Sequence, residues 1–346
     1  GKGWFANHDF NQFIRSESVA GRTEHVMMED TGPGCLVRFW NALGGKAWDD
    51  CGTIRIYLDG EAKPAIEMMV KELIGGRGLV PSPFSYLASD AKTRPGWRGR
   101  NLYLPIPYAR SCKVTWDGTY DEGTGALFYY HVNYRRYSPE TAVRTFSPEQ
   151  VKDAGDLPKQ IAKKLRQPRL EASVAGRLSA KNKRLEANES LGLTRGSQAC
   201  IQSISLKISA KDLQQAYRST LLKIAFDGQQ TVCCPVGEFF GVGYEARPHK
   251  KLFVEMDREG TLKARWTMPF QERVAIEIEN VCEAPVTVDS VNVNLGTWEW
   301  DERSMYFHAT WYELENIDTN IKRDINYNTI TGKGVYVGDT LTVFNS

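Results

Sequence analysis

The sequence has no apolar run approaching the roughly 18 residues of a membrane-spanning helix. It has no C-x-x-C pair, and its 5 histidines and 7 cysteines fall into no cluster at ligand spacing. That excludes the usual zinc sites, and no metal or organic cofactor is called for. The cysteines (Cys35, Cys51, Cys112, Cys200, Cys233, Cys234 and Cys282) are too scattered for a disulfide framework, and their odd number leaves at least one thiol unpaired. The Cys233-Cys234 pair reads as strand packing rather than redox chemistry. A net charge of only +2 gives no bulk attraction to nucleic acid. The opening GKGWFANHDF lacks the charged-then-apolar pattern of a secretory leader.

What is present is enough for two cores: 346 residues, 41% hydrophobic and 25% charged. Two pairs of segments recur. The stretch IPYARSCKVT (Ile106 to Thr115) returns as MPFQERVAIE (Met268 to Glu277), each an apolar residue, Pro and an aromatic leading into an alternating strand. Ahead of them stand TIRIYLDGE (Thr53 to Glu61) and LLKIAFDGQ (Leu221 to Gln229), each a strand closed by Asp-Gly, a hairpin pattern. Order and separation match, so the sequence is read as a duplicated domain.

Other segments alternate as strands do. Phe128, Tyr130, Val132 and Tyr134 share one face, and Tyr129, His131, Asn133 and Arg135 the other. Val274, Ile276 and Ile278 oppose Glu277 and Glu279, while Val291, Val293 and Leu295 alternate with Asn292 and Asn294. TLTVF near the end reads as a last short strand. The implied fold is all-β, two sandwiches or jelly rolls. Residues 1–145 form the first and residues 199–346 the second, the latter short of strands at its C-terminus. Between them, residues 146–198 read as a basic, partly helical connector. Ser147-Pro148-Glu149 is a helix start and Ile161 and Leu165 share a face, with Pro158 and Pro168 as interruptions. Its nine Lys and Arg residues from Lys159 to Arg184 are read as a solvated surface, although they also suit an acidic partner.

Nine segments occur in a set order: WFANHDFNQFIR, EDTGPGCLVRFW, GTIRIYLDG, LYLPIPYARSCKVT, FYYHVNYRRY, CPVGEFFGVG, GTLKARWTMPF, YFHATW and GVYVGDTLTVFN. Together they resemble glycoside hydrolase family 172 along nearly the whole chain. The resemblance implies a tandem double jelly roll assembled as homotrimers or hexamers. It implies a retaining hydrolase or transglycosylase of furanosides, with oligo- or polysaccharides containing α-D-fructofuranose or D-arabinofuranose as partners. A periplasmic or secreted location is expected ahead of a cytoplasmic one. The catalytic glutamates implied by the family lie in segments of the type W-W-G-E-G-D and G-T-E-D-Y-F. The sequence stops at Ser346 before either, so no catalytic residue is assigned within it, and the expectation is that the native gene continues. The alternative is a non-catalytic carbohydrate-binding or structural assembly protein on the same fold.

Candidate sugar contacts remain. Asn7, Asp9 and Asn11 alternate in FANHDFNQF, and in a strand would share a face with Phe5 and Phe13 and grip vicinal hydroxyls; a surface turn is the other reading. His131 projects from the polar face of its strand and suits a hydroxyl or carboxylate, or is a plain sheet-surface histidine. Glu238 sits between Gly237 and two phenylalanines, where desolvation would raise its pKa. The segment GPGC (Gly32 to Cys35) reads as a tight turn, because a strand and not a helix follows it.

Overall fold

The repeated segments occupy equivalent places in two β-sandwiches. The computed structural model describes residues 10–44, 51–88, 99–120, 127–166, 174–243, 245–321, 325–326 and 328–344. The chain divides into two units after Arg166.

In chain order the first unit holds β1 (Arg15–Val19), β2 (Arg22–Thr31), β3 (Gly34–Gly44), β4 (Thr53–Leu58), β5 (Ile66–Met69), α1 (Val70–Leu73), β6 (Ser85–Leu87), β7 (Arg100–Leu102), β8 (Ile106–Tyr108), β9 (Ser111–Trp116), β10 (Leu127–Arg136), α2 (Pro148–Asp153) and α3 (Leu157–Arg166). One sheet runs β1-β2-β9-β4-β5, the other β10-β3-β7-β6 with β8 also paired to β3. The chain crosses from sheet to sheet between β2, β3 and β4 and again between β8, β9 and β10, and β9 inserts between β2 and β4. That is jelly-roll order. Leu36, Phe39, Ile54, Ile56, Val114 and Phe128, from both sheets, fill one core.

The second unit holds β11 (Val174–Leu185), β12 (Ser190–Gly196), β13 (Ala199–Ser209), α4 (Leu213–Ser219), β14 (Thr220–Phe226), β15 (Gln229–Pro235), α5 (Val236–Phe240), β16 (His249–Lys250), β17 (Val254–Met256), β18 (Leu262–Ala264), β19 (Met268–Phe270), β20 (Arg273–Asn280), β21 (Val286–Gly296) and β22 (Ala309–Thr310). Its sheets run β12-β20-β14-β15-β22 and β11-β21-β13-β18-β17-β16, with β19 on β13. Thus β12-β20-β14-β15 repeats β2-β9-β4-β5, and β21-β13-β18-β17 repeats β10-β3-β7-β6. The registers of β8 and β7 on β3 match those of β19 and β18 on β13. Gly34 pairs with Tyr108 as Ala199 pairs with Phe270, and Trp40 pairs with Asn101 as Ser205 pairs with Lys263. Even the β-bulge recurs, passing over Val37 in β3 and Gln202 in β13.

The paired sequence motifs join each other. Asp59 and Asp227 lie in left-handed turns with φ of 57° and 49°, each followed by glycine. Asp59 Oδ1 accepts from the amides of Arg110 (2.6 Å) and Ser111 (3.2 Å). Asp227 accepts from those of Gln271 (2.9 Å), Glu272 (2.8 Å) and Arg273 (2.7 Å). Each Asp-Gly turn therefore ties down the chain just after the Pro-aromatic pair, whose ring (Tyr108 or Phe270) is fully buried. Burial alone would raise these carboxyls. Hydrogen bonds from Thr145 and the backbone in the first copy, and from the backbone and Tyr306 in the second, outweigh it and hold both below the usual value.

Three expectations change. The connector assigned to residues 146–198 does not extend that far. The helices α2 and α3 belong to the first unit, and residues 174–196 form β11 and β12 within the second unit's sheets. Leu178, Ala180, Leu191 and Leu193 supply the thin apolar side that packs on the core, so charged residues on the other face dominate the composition. Pro158 does not interrupt a helix; it lies in the first turn of α3, where no amide donor is needed. TLTVF, expected as a strand, is in none, and Leu341, Val343 and Phe344 are exposed. GPGC does form the turn between β2 and β3, with Gly32 at φ 100°.

Candidate functional site

A groove of about 490 Å³ opens along the first unit, lined by Ile14, Met27, Met28, Glu29 and the β10 residues Tyr130 to Tyr134. Its origin is topological. The strand β1 covers β2 only as far as the Arg15–Val26 pair, and β10 is the edge of the facing sheet. Beyond Val26 the two edges face each other uncovered. The groove's carboxylate, Glu29, accepts a 2.7 Å ion pair from Arg15. That bond holds its pKa below the ordinary value, so Glu29 stays ionised near neutrality. It is the single carboxylate in the lining, whereas retaining glycoside hydrolysis needs two.

His131 lies on this edge strand, exposed, with its ring centroid 5.3 Å from that of Trp40. Asn11 reaches the same strand. It is not in a β-strand but at φ 54°, where its amide donates to Phe128 O (2.9 Å) and its Oδ1 accepts from Phe128 N (2.9 Å). Asn11 thereby closes part of the free edge of β10, while its Nδ2 is buried without a partner. Phe13 stacks on Trp116 and Tyr130 nearby. Asn7 and Asp9 lie outside the described residues. The structure thus brings Asn11 and His131 to one strand, and places Glu238 in the other unit.

Glu238 sits on α5, whose end is set by Gly241 at φ 75°. Among the described residues it is the carboxyl that burial pushes above its ordinary pKa; Arg218 opposes the shift and Glu313 adds to it. Its Oε2 is buried with no hydrogen bond. The first unit shows what is particular here. There α1 follows β5 as α5 follows β15, and the equivalent Glu72 is exposed. In the second unit α4 carries the buried Tyr217 against α5. A carboxyl so placed can be held protonated and can donate a hydrogen bond.

Sequence reasoning did not find two further groups. Glu24 is fully buried and accepts from Tyr57 (2.9 Å), Thr115 (2.6 Å) and Arg22 (2.8 Å). Arg22 is a neighbour on β2, but Tyr57 on β4 and Thr115 on β9 come from strands distant in sequence, so no local pattern marks the site. The second group is Arg38 and Trp40 on the outer face of β3. Strict alternation in LVRFW would put them on the face of the buried Leu36; the β-bulge at Val37 reverses the side and turns them away from the core. No group of three or more His, Cys, Asp or Glu among the described residues could hold a metal ion.

The fold defines a protein of two tandem jelly-roll sandwiches built on one repeated plan. Comparison with known families gives matches to the GH172 first beta-sandwich domain over residues 1–154 and to the GH172 domain-like family over residues 176–293. The chain belongs to the GH172 family of glycoside hydrolases. No curated protein matches it. Among solved structures, similarity is found to the CBM32-1, CBM32-2 and M60 catalytic domains of Clostridium perfringens ZmpB, at 9% identity and a TM-score of 0.19, covering 81% of this chain and 34% of that one. The CBM32-1 and CBM32-2 domains alone give 9% identity and a TM-score of 0.19, over 81% of this chain and 84% of theirs. The PBCV-1 virus capsid gives 6% identity and a TM-score of 0.20, over 83% and 92%. At such scores none of these similarities carries an argument.

Proposed function

We propose that this protein is a retaining glycoside hydrolase or transglycosylase acting on furanosides, α-D-fructofuranosides or D-arabinofuranosides. The observation that carries this reading is membership of a glycoside hydrolase family across both sandwiches. Retention requires two carboxyl groups about 5–5.5 Å apart, one ionised and one protonated. The family resemblance implies a catalytic pair of glutamates in segments of the type W-W-G-E-G-D and G-T-E-D-Y-F, and no described residue is assigned to that pair. Asn7, Asp9, Asn11, His131 and Glu238 are proposed as contacts to sugar hydroxyls. Assembly as trimers or hexamers, and a periplasmic or secreted location, belong to the same proposal; mass photometry and cell fractionation test them.

The full gene product is to be incubated with aryl α-D-fructofuranosides and D-arabinofuranosides, and the first-formed anomer followed by proton NMR. Turnover with retention is expected. Inversion, or no turnover of either substrate, refutes the proposal. One observation favours a second reading, a non-catalytic carbohydrate-binding or structural assembly protein: the groove holds a single carboxylate. Glycan binding without turnover by the full gene product would establish it.

A further inference from the structure

The outer face of the β10-β3-β7-β6 sheet carries a row of side chains that the duplicated fold does not require. Pairing aligns His131 with Trp40, Trp40 with Asn101, and Asn101 with Tyr86, one residue from each strand. At a strand spacing of about 4.8 Å the row spans about 14 Å. A second row beside it holds Asn133, Arg38 and the exposed Tyr103. Trp40 lies over Gly99, where any Cβ would collide with its Nε1. The rings of Tyr86 and Tyr103 stack at 6.3 Å.

The second unit provides an internal control. The same positions there, identified by register, hold Asn292, Ser205, Lys263 and Glu255 in the first row, and Asn294, Ser203 and Arg265 in the second. Arg265 pairs with Glu255 and Lys263 lies opposite the same carboxylate, so these seven positions carry two cations, one carboxylate and no aromatic ring. One scaffold thus folds with serines and an ion pair where the first unit exposes indole, phenol and imidazole. The aromatic row is an addition to the fold.

Its polarity indicates what it would hold. Arg38 donates to Asn133 Oδ1 (3.1 Å) and Asn101 Oδ1 (3.4 Å), and Tyr103 donates to the same Asn101 oxygen (3.5 Å). Both amide oxygens are used within the face; Asn101 is buried, which leaves the Asn133 NH₂ group and the Arg38 guanidinium as outward donors. No carboxylate pairs with Arg38 among the described residues. The strands β3, β6, β7, β8 and β10 contain no Asp or Glu, and Arg135 follows His131 and Asn133 on the same side of β10. The face is donor-rich and complementary to anions, with flat rings set between the donors.

We propose that this face is a binding platform for an acidic oligosaccharide, a chain of uronate-type sugars. The rings stack on the apolar faces of successive sugars, and Arg38, held by Asn101, receives beside Asn133 a carboxylate, the planar anion that a guanidinium fits best. A nucleic-acid strand fits less well, because these strands contain no lysine and offer too few cations to follow a phosphate backbone. The platform stands on the sheet's geometry; the choice of carbohydrate among anions rests on the glycosidase reading.

Calorimetric titration of the intact protein with galacturonate, glucuronate and mannuronate oligosaccharides, their carboxyl-reduced forms and oligothymidylate tests it. Binding of at least one acidic chain is expected, about tenfold or more tighter than its reduced form. W40A and Y103A should each weaken both forms by about tenfold, as loss of an aromatic anchor does. R38Q should remove the preference for the carboxylate while the reduced form still binds. Circular dichroism and thermal melts verify the fold of each variant. Absence of binding to every acidic chain, undiminished binding by both folded aromatic variants, or tighter binding of oligothymidylate overturns the platform. Furanoside turnover measured on the same preparation reads the catalytic proposal separately. Turnover without uronate binding removes the platform alone, and uronate binding without turnover removes the catalytic reading alone.

Discussion

At the scale of single residues, the strongest positions are the two turn aspartates. Asp59 and Asp227 each satisfy several backbone amides at the start of a central strand, as a helix N-cap does. D59A and D227A should each cost about 1–2 kcal/mol in urea unfolding, with Asn recovering part of the loss. Their folded pKa values are depressed. Their stabilisation is therefore complete above the unfolded value, usually 3.8, and is lost as pH falls through the lower folded value. Acid titration of wild type and variants should converge at low pH. Glu238 has the opposite sign. Its raised pKa means that the folded state holds its proton longer, so stability falls as pH rises from the usual 4.5 toward the folded value. E238Q should melt about 2 °C higher than wild type at pH 8 and show no gain at pH 4. An equal effect at both pH values would mean that Glu238 does not titrate in this window.

At the scale of elements, the hairpins and the bulge separate what sequence shows from what it hides. The Asp-Gly turns were legible because two consecutive left-handed residues demand such a pair. Gly228 sits at φ 86°, so G228A should destabilise by about 1 kcal/mol. Gly192, within β12, has no positive φ and open space around its missing Cβ. G192A should therefore stabilise by about 0.5 kcal/mol, since alanine favours a strand over glycine. Equal losses in chemical denaturation would show that turn geometry is not the cause. The strands β11 and β12 were missed for a physical reason: a strand with one weakly apolar side resembles a solvated linker until a sheet is there to receive it. Arg38 and Trp40 were hidden differently. Their outward direction depends on the bulge at Val37, which alternation does not reveal, and their meeting with Asn101 and Tyr86 depends on register across four strands.

At the scale of the molecule, the seven thiols give a direct test of the two cores. All are unpaired with one another, and five are buried. Burial pushes Cys112 and Cys234 up to about 12 and Cys200 to about 11, which keeps them as unreactive thiols at neutral pH. With a thiol reagent the native protein should show one fast site, Cys233, a slower one at Cys282, and the other five only after unfolding. Seven fast thiols would mean that the sandwiches are not closed. Stability should not change when a reductant is added.

The sequence by itself determined that the protein is all-β, that it is a duplication, and which face of strands such as β20 and β21 turns to the core. Those properties follow from local rules: period-two alternation, Asp-Gly turns and a proline at a strand start. The tertiary structure alone decided that Asn11 closes an edge, that Glu24 is buried among partners from distant strands, and that Glu238 is shielded while its twin Glu72 is not. It also decided that the two copies expose unlike faces. Each of these depends on which strands become neighbours, and a long-range pairing leaves no trace in the spacing of residues along the chain.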